Sequence, residues 1–152
     1  MKEYTRHHLY FAYPENWILE ESEIGAADGM LQLSNHSGAF WILKKYPFGT
    51  NPDDIAEEAA ETMRSEYDDI EVNRFDKVVH GKRITGFEMT FFYLDLMNVA
   101  TVLCFEHAGQ TFAVFWQTGN QLIIHNGETV PVEDVLEAIT ESFLRGNRQG
   151  GV

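Results

Sequence analysis

The chain has 152 residues, 44% of them hydrophobic and 13% aromatic, which suits one domain with a core large enough to need no staples. A formal net charge of −13, from 11 basic against 24 acidic residues, repels phosphate backbones and anionic lipid, so nucleic acid and bare membrane are excluded as natural partners. One cysteine, Cys104, rules out an intrachain disulfide and a multi-cysteine metal cluster, and fits a reducing compartment.

The opening residues lead into only a short apolar stretch, Leu9 to Tyr13, ended by Pro14. That is too short for a secretory core segment, and no run approaches the roughly 20 apolar residues that span a bilayer. The expected location is the cytoplasm. Leu9, Phe11 and Tyr13 alternate as in a strand, and Trp17-Ile18-Leu19 follows a Pro-Glu-Asn turn. Met30 to Ser34 and Gly38 to Tyr46 flank the turn-forming Asn35-His36-Ser37-Gly38 and read as a hairpin. Ala39 to Leu43 is apolar at every position, which predicts cover on both faces.

A helix is predicted next. Asn51 caps it, Pro52 suits its first position, and Asp53 and Asp54 sit where the helix dipole favours negative charge. Ile55, Ala59, Met63 and Tyr67 recur every four residues, with Ala56 and Ala60 widening the stripe. Asp54, Glu57, Glu58 and Glu61 make the opposite, acidic face. Longer strands follow: Ile70 to Val79, Arg83 to Leu94, Val99 to His107 and Thr111 to Thr118. The turns between them are expected at His80-Gly81-Lys82, Asp95 to Asn98 and Ala108-Gly109-Gln110. Short turns make neighbours antiparallel, hence a meander, and leave the order between meanders open. Phe87, Met89 and Phe91 share one face while Phe92 lies on the other, so this sheet too is expected to be covered on both sides.

Leu122-Ile123-Ile124 reads either as a short strand or as a packed loop. Val132, Val135, Leu136, Ile139 and Phe143 form a final helical stripe, with Glu133, Asp134, Glu137 and Glu141 expected to point away and Gly146 just past the helix end. Residues 1–146 therefore make one domain and 147–152 a tail. The fold class is α+β: an antiparallel sheet, a meander, sandwiched between helices.

Tyr13-Pro14-Glu15-Asn16-Trp17 resembles the "YPxxW" opening of bacterial DcrB-like domains, which share a fold with the photosystem protein PsbP and the Ran-binding Mog protein. The Asn51-Pro52-Asp53-Asp54 helix start and the closing Ile139-Thr140-Glu141-Ser142-Phe143, similar to an "I-x-x-S-F" ending, match as well. The resemblance runs from Leu9 to Phe143 through short structural motifs. It implies a PsbP-like α/β/α arrangement and a non-catalytic accessory role: docking on, chaperoning or assembling another protein. It marks no binding residue.

Chemistry is sparse. Ser37 beside His36 lies in turn composition, and no nucleophile elbow, dinucleotide loop or phosphate-binding lysine loop is present. Cys104, between Leu103 and Phe105, reads as an inert core thiol. His7, His8, His36, His80, His107 and His125 make no His-x-x-x-His pair, although His80 and His107 both fall near turns. Asp68, Asp69 and Glu71 lack calcium-loop spacing. No catalytic residue, metal or cofactor is expected.

The aromatic set Trp17, Trp41, Trp116, Phe40, Phe91, Phe92, Phe105, Phe112 and Phe115 reads as a core, part of which lines a groove or an oligomer interface in the alternative reading. The acidic helix face of Asp54, Glu57, Glu58 and Glu61 is the candidate docking site for a basic protein partner. The expected function is a non-enzymatic accessory protein. The alternative is a small apolar-ligand binder with a pocket between sheet and helix, and an enzyme assembled from separated strands ranks third. An aromatic sheet edge or face would also support a homodimer.

Overall fold

The computed structural model describes residues 1–23, 28–119 and 121–146. The expected tail, 147–152, and Asn120 lie outside them. Two short strands, β1 (Lys2–Tyr4) and β2 (Phe11–Tyr13), pair antiparallel. Then come β3 (Ile18–Ser22), β4 (Met30–Ser34), β5 (Phe40–Tyr46), helix α1 (Pro52–Glu66), β6 (Glu71–Val79), β7 (Lys82–Tyr93), β8 (Leu96–His107) and β9 (Gln110–Thr118). A small hairpin, β10 (Leu122–His125) with β11 (Glu128–Pro131), leads into α2 (Val132–Gly146). Leu122-Ile123-Ile124 is thus a strand.

The main sheet has seven strands in the order β3-β4-β5-β9-β8-β7-β6, every pair antiparallel. It is two meanders, β3 to β5 and β6 to β9, joined where β5 pairs with β9. Helix α1 carries the chain across one face between them, from β5 to the far edge.

Each helix forms where its sequence says it should. Asn51 Oδ1 accepts from the Asp53 amide at 3.0 Å, Pro52 occupies the first turn, and Ala56, Ala60 and Met63 turn inward. The alanines let α1 lie close on β7, β8 and β9, over Phe87, Met89, Phe91, Val102 and Cys104. Helix α2 buries Val135, Leu136, Ile139 and Phe143 on the opposite face, against Phe11, Trp41, Phe105 and Phe112. Both faces of the sheet therefore carry a helix.

The motifs at the two ends of the chain meet here. Trp17 donates its amide to the Pro14 carbonyl at 3.1 Å, which buries both Tyr13 and Trp17. Ser142 Oγ accepts the Ala12 amide at 2.9 Å and pins α2 to β2.

Three expectations need correction. Gly146 is the last residue of α2 rather than the residue beyond it, and a Cβ there would run into the Tyr10 ring. The turn after β7 is not Asp95 to Asn98 but Leu94-Asp95 alone, with Tyr93 opposite Leu96. Leu94 (φ 51°) and Asp95 (φ 63°) are both left-handed, as a two-residue type I′ turn requires. The same geometry at His80-Gly81, Ala108-Gly109 and Asn126-Gly127 has glycine in second place, and its absence here hid the turn. Finally, Phe92 is exposed rather than part of the core.

Candidate functional site

Helix α2 lies against β2, β9 and β11 and leaves the β6–β7 end of its face open. A cleft of about 590 Å³ results. Its floor is one cross-strand row, Glu88 on β7, Thr101 on β8 and Trp116 on β9, which are register partners. Phe75 and Leu103 continue the floor as apolar surface. Gly86, the register partner of Phe75, has no room for a side chain: a Cβ there would run into the Val102 carbonyl and lie 2.9 Å from the Phe75 ring.

The wall is α2 itself. Glu133, Glu137 and Glu141 repeat every four residues along it and line the cleft. Glu137 and Glu141 are exposed, as expected of residues that point away from the core, and only Glu133 is half-buried. Burial, with the charges of Glu137, Glu88 and Asp134, holds the Glu133 carboxyl above the usual range. At the rim, Glu141 Oε1 meets His80 Nε2 at 2.6 Å, and Lys77 lies over the Phe75 ring.

Trp116 and Thr101, each only 5% exposed, belong to this floor, and their own polar atoms, the indole Nε1 and the hydroxyl Oγ1, are buried with no partner. The neighbouring tryptophan in the same row, Trp41, is opposite Trp116 across β5–β9 and donates its Nε1–H to Thr140 Oγ1 at 2.9 Å. One indole is satisfied by α2 and the next is not.

A second feature is the β7–β8 hairpin. Its pairing runs past the end of β6, whose last partner on that side is Glu71 opposite Thr90. On the overhang, Phe92 (66%), Tyr93, Leu94 (78%), Leu96 and Met97 are all exposed. A third is an apolar groove of about 400 Å³ beside α1, floored by Ile42, Val102, Ala113 and Phe115, with Glu58 at its rim.

The sequence-predicted docking residues Asp54, Glu57, Glu58 and Glu61 are all exposed on α1. Glu57 faces Arg74 at 3.5 Å. One turn earlier, Asp53 joins Arg74 (3.1 Å) and Arg83 (3.0 Å), and Arg83 also holds Asp76 (2.7 Å). The Arg83 hydrogen bonds hold the Asp53 carboxyl below the usual range.

The remaining candidates are separated by the fold. His80 contacts Glu141, while His107 Nδ1 lies 3.0 Å from Lys82 Nζ, and burial with the Lys82 charge lowers its pKa. Ser37 belongs to a turn in which Asn35 Oδ1 accepts from both its amide and its hydroxyl. Burial pushes the Cys104 thiol up to about 12. Among the described residues no group of three or more His, Cys, Asp or Glu is disposed to hold a metal ion. Nor is any helix among them long and apolar enough to cross a membrane.

The cleft and the hairpin overhang were missed in the sequence. A signal for the first exists: like charges at i, i+4 disfavour a helix, and α2 keeps three of them in line.

No family model matches the chain. No curated protein matches it either. Among solved structures, a protein of unknown function from Pseudomonas aeruginosa, PA94, is similar with a TM-score of 0.42 and 10% identity, over 78% of this chain and 82% of that one.

Proposed function

We propose that this chain is a non-catalytic, cytoplasmic accessory protein that docks on another protein through the tip of the β7–β8 hairpin. The observation that carries this reading is Leu94: a large apolar residue, 78% exposed, at a left-handed turn position that asparagine or glycine fills at lower cost. Left-handed backbone costs an L-residue about 1–2 kcal/mol. A fold that accepts this cost to expose leucine, beside exposed Phe92, Tyr93, Leu96 and Met97, presents a contact surface. The resemblance to DcrB-like domains, with a PsbP-like arrangement of sheet and helices, supports the same role. The acidic α1 face of Asp54, Glu57, Glu58 and Glu61 is the second contact, suited to basic residues flanking the partner's apolar site.

Capture from lysate of the source organism, at low and high salt, tests this with the wild type and with the triple variant Phe92→Thr, Leu94→Asn, Leu96→Thr. A stoichiometric partner that survives high salt on the wild type and is lost from the variant is expected. Retention by the variant contradicts the reading. A wild-type dimer that the variant dissolves assigns the tip to self-association instead. Glu58→Lys with Glu61→Lys is expected to weaken the same partner at low salt while leaving thermal unfolding nearly unchanged.

The apolar groove beside α1 favours a second reading, a small apolar ligand between sheet and helix. It predicts thermal stabilisation by such a ligand, and a lipid and metabolite screen without any shift would remove it.

A further inference from the structure

The seven-stranded sheet is not zipped from end to end. β6 and β7 pair as far as Val79 opposite Lys82, and β8 and β9 as far as His107 opposite Gln110. Between these two hairpins the β7–β8 ladder begins only at Thr85 opposite Cys104. Lys82 to Ile84 and Phe105 to His107 therefore run on neighbouring strands with no ladder between them. Continuing the register across this gap sets Lys82 against His107, and there the side chains close it: Lys82 Nζ lies 3.0 Å from His107 Nδ1.

Among the described residues Lys82 is the one charged residue that is buried, at 4% exposure. An ammonium can only donate, so His107 Nδ1 accepts and the ring proton sits on Nε2. The contact exists only while His107 is neutral. A second ring proton removes the acceptor and sets two cations side by side in partly dehydrated surroundings, where like charges repel far more than in water. His107 is half-buried, so protons reach it. Burial, together with the Lys82 charge, holds its pKa below the ordinary imidazole value, and burial also lowers that of Lys82.

The other charges at this end have partners or directions of their own. Arg83 of β7 is held by Asp53 and Asp76 on the α1 side. His80, at the β6–β7 turn, meets Glu141 of α2, and Arg145 of α2 acts on Tyr10. Glu106 of β8 is exposed on the face opposite to His107. On β9 the register partner Gln110 is uncharged and donates to the Tyr46 carbonyl.

We propose that Lys82 and His107 form a proton-operated clasp, closed across the parted ends of β7 and β8 at neutral pH and opened by acid. Between the ordinary imidazole pKa and the lowered one, the unfolded chain holds a proton that the folded chain does not, so stability is lost as pH falls through that window. The His80–Glu141 contact responds in the opposite sense, because protonation of His80 completes an ion pair. The clasp sits at the end of β7 and β8 remote from the exposed tip, so it gives the chain a response to acid that is independent of the docking surface.

Hydrogen exchange of the Arg83, Ile84 and Phe105 amides in the full chain, at about pH 7.5 and about pH 5, tests this against His107→Asn, whose Oδ1 stands where Nδ1 does and does not titrate. Comparing the two proteins at the same pH cancels the intrinsic pH dependence of exchange and the response of His80. The ratio of wild-type to variant rates is expected to rise about tenfold from the higher pH to the lower, as for loss of one hydrogen bond to a charged group. A ratio that stays constant overturns the proposal. A second arm does not depend on the folding of that variant: an NMR titration of the His107 ring in the wild type and in Lys82→Met. Removing the ammonium is expected to raise the His107 midpoint, and a midpoint that is unchanged or lower overturns the proposal.

Discussion

The two helices meet the sheet through seams of opposite character. At the α1 seam the half-buried charge at the helix start is answered: Asp53 lies between Arg74 and Arg83, and Arg83 also holds Asp76. At the α2 seam Glu133, Glu137 and Glu88 face one another across a cleft, above an indole and a hydroxyl with no partner. The first seam is complete as a structural joint. The second holds its helix by an aromatic core and leaves buried polar groups unanswered beside it, at a cost in stability.

The largest effect that sharpens this contrast is in the core. Phe143 is fully buried among Phe11, Trp41, Phe105 and Phe112, so Phe143→Ala is expected to destabilise by about 3–5 kcal/mol in denaturant unfolding. A loss under 1 kcal/mol would mean that α2 is not held as described.

Next come the paired tryptophans. Trp41→Phe and Trp116→Phe remove the same volume, but only the first breaks a hydrogen bond, to Thr140. Trp41→Phe is expected to cost about 1 kcal/mol more than Trp116→Phe, and equal costs would break the comparison.

The two carboxylates give opposite pH dependence. Asp53 has its pKa lowered by Arg83, so its contribution is full above the unfolded value and is lost as pH falls through the folded one. Glu133 has its pKa raised, chiefly by burial, so the native state keeps this proton to higher pH than the unfolded chain does. Its ionisation therefore lowers stability as pH rises through the window between the ordinary glutamate value and the raised one. In denaturant midpoints followed across acidic pH, Asp53→Asn is expected to shrink the loss on acidification. Glu133→Gln is expected to raise stability at neutral pH and to flatten the profile just above the ordinary glutamate range. The same sign for both would contradict the contrast.

The smallest effect lies at the hairpin, where Leu94→Asn is expected to raise stability by up to about 1 kcal/mol by relieving left-handed leucine.

Local signals were the legible ones. Asn51-Pro52 and the four-residue repeat from Ile55 to Tyr67 marked α1 to within a residue at each end, and glycine marked the tight turns at His80-Gly81 and Ala108-Gly109. The Leu94-Asp95 turn carries no such residue. Glu137 and Glu141 are exposed as read, but the partial burial of Glu133 was not legible, because helical periodicity says which residues share a side, not how far the sheet extends beneath it. The Asp53–Arg74–Arg83 cluster and the Glu88–Thr101–Trp116 row join residues from separate elements, so they exist only once strand register is set. The four acidic residues of α1 were visible as a face, but the pairing of Glu57 with Arg74 and of their neighbour Asp53 with Arg74 and Arg83 was not.

The most direct test of the contrast between the paired tryptophans is the NMR shift of the three indole N–H signals. The account predicts that the Trp41 signal, hydrogen-bonded to Thr140, lies downfield and moves in a Thr140→Val variant, while the Trp116 signal stays in place. A Trp41 signal unmoved in that variant would contradict it.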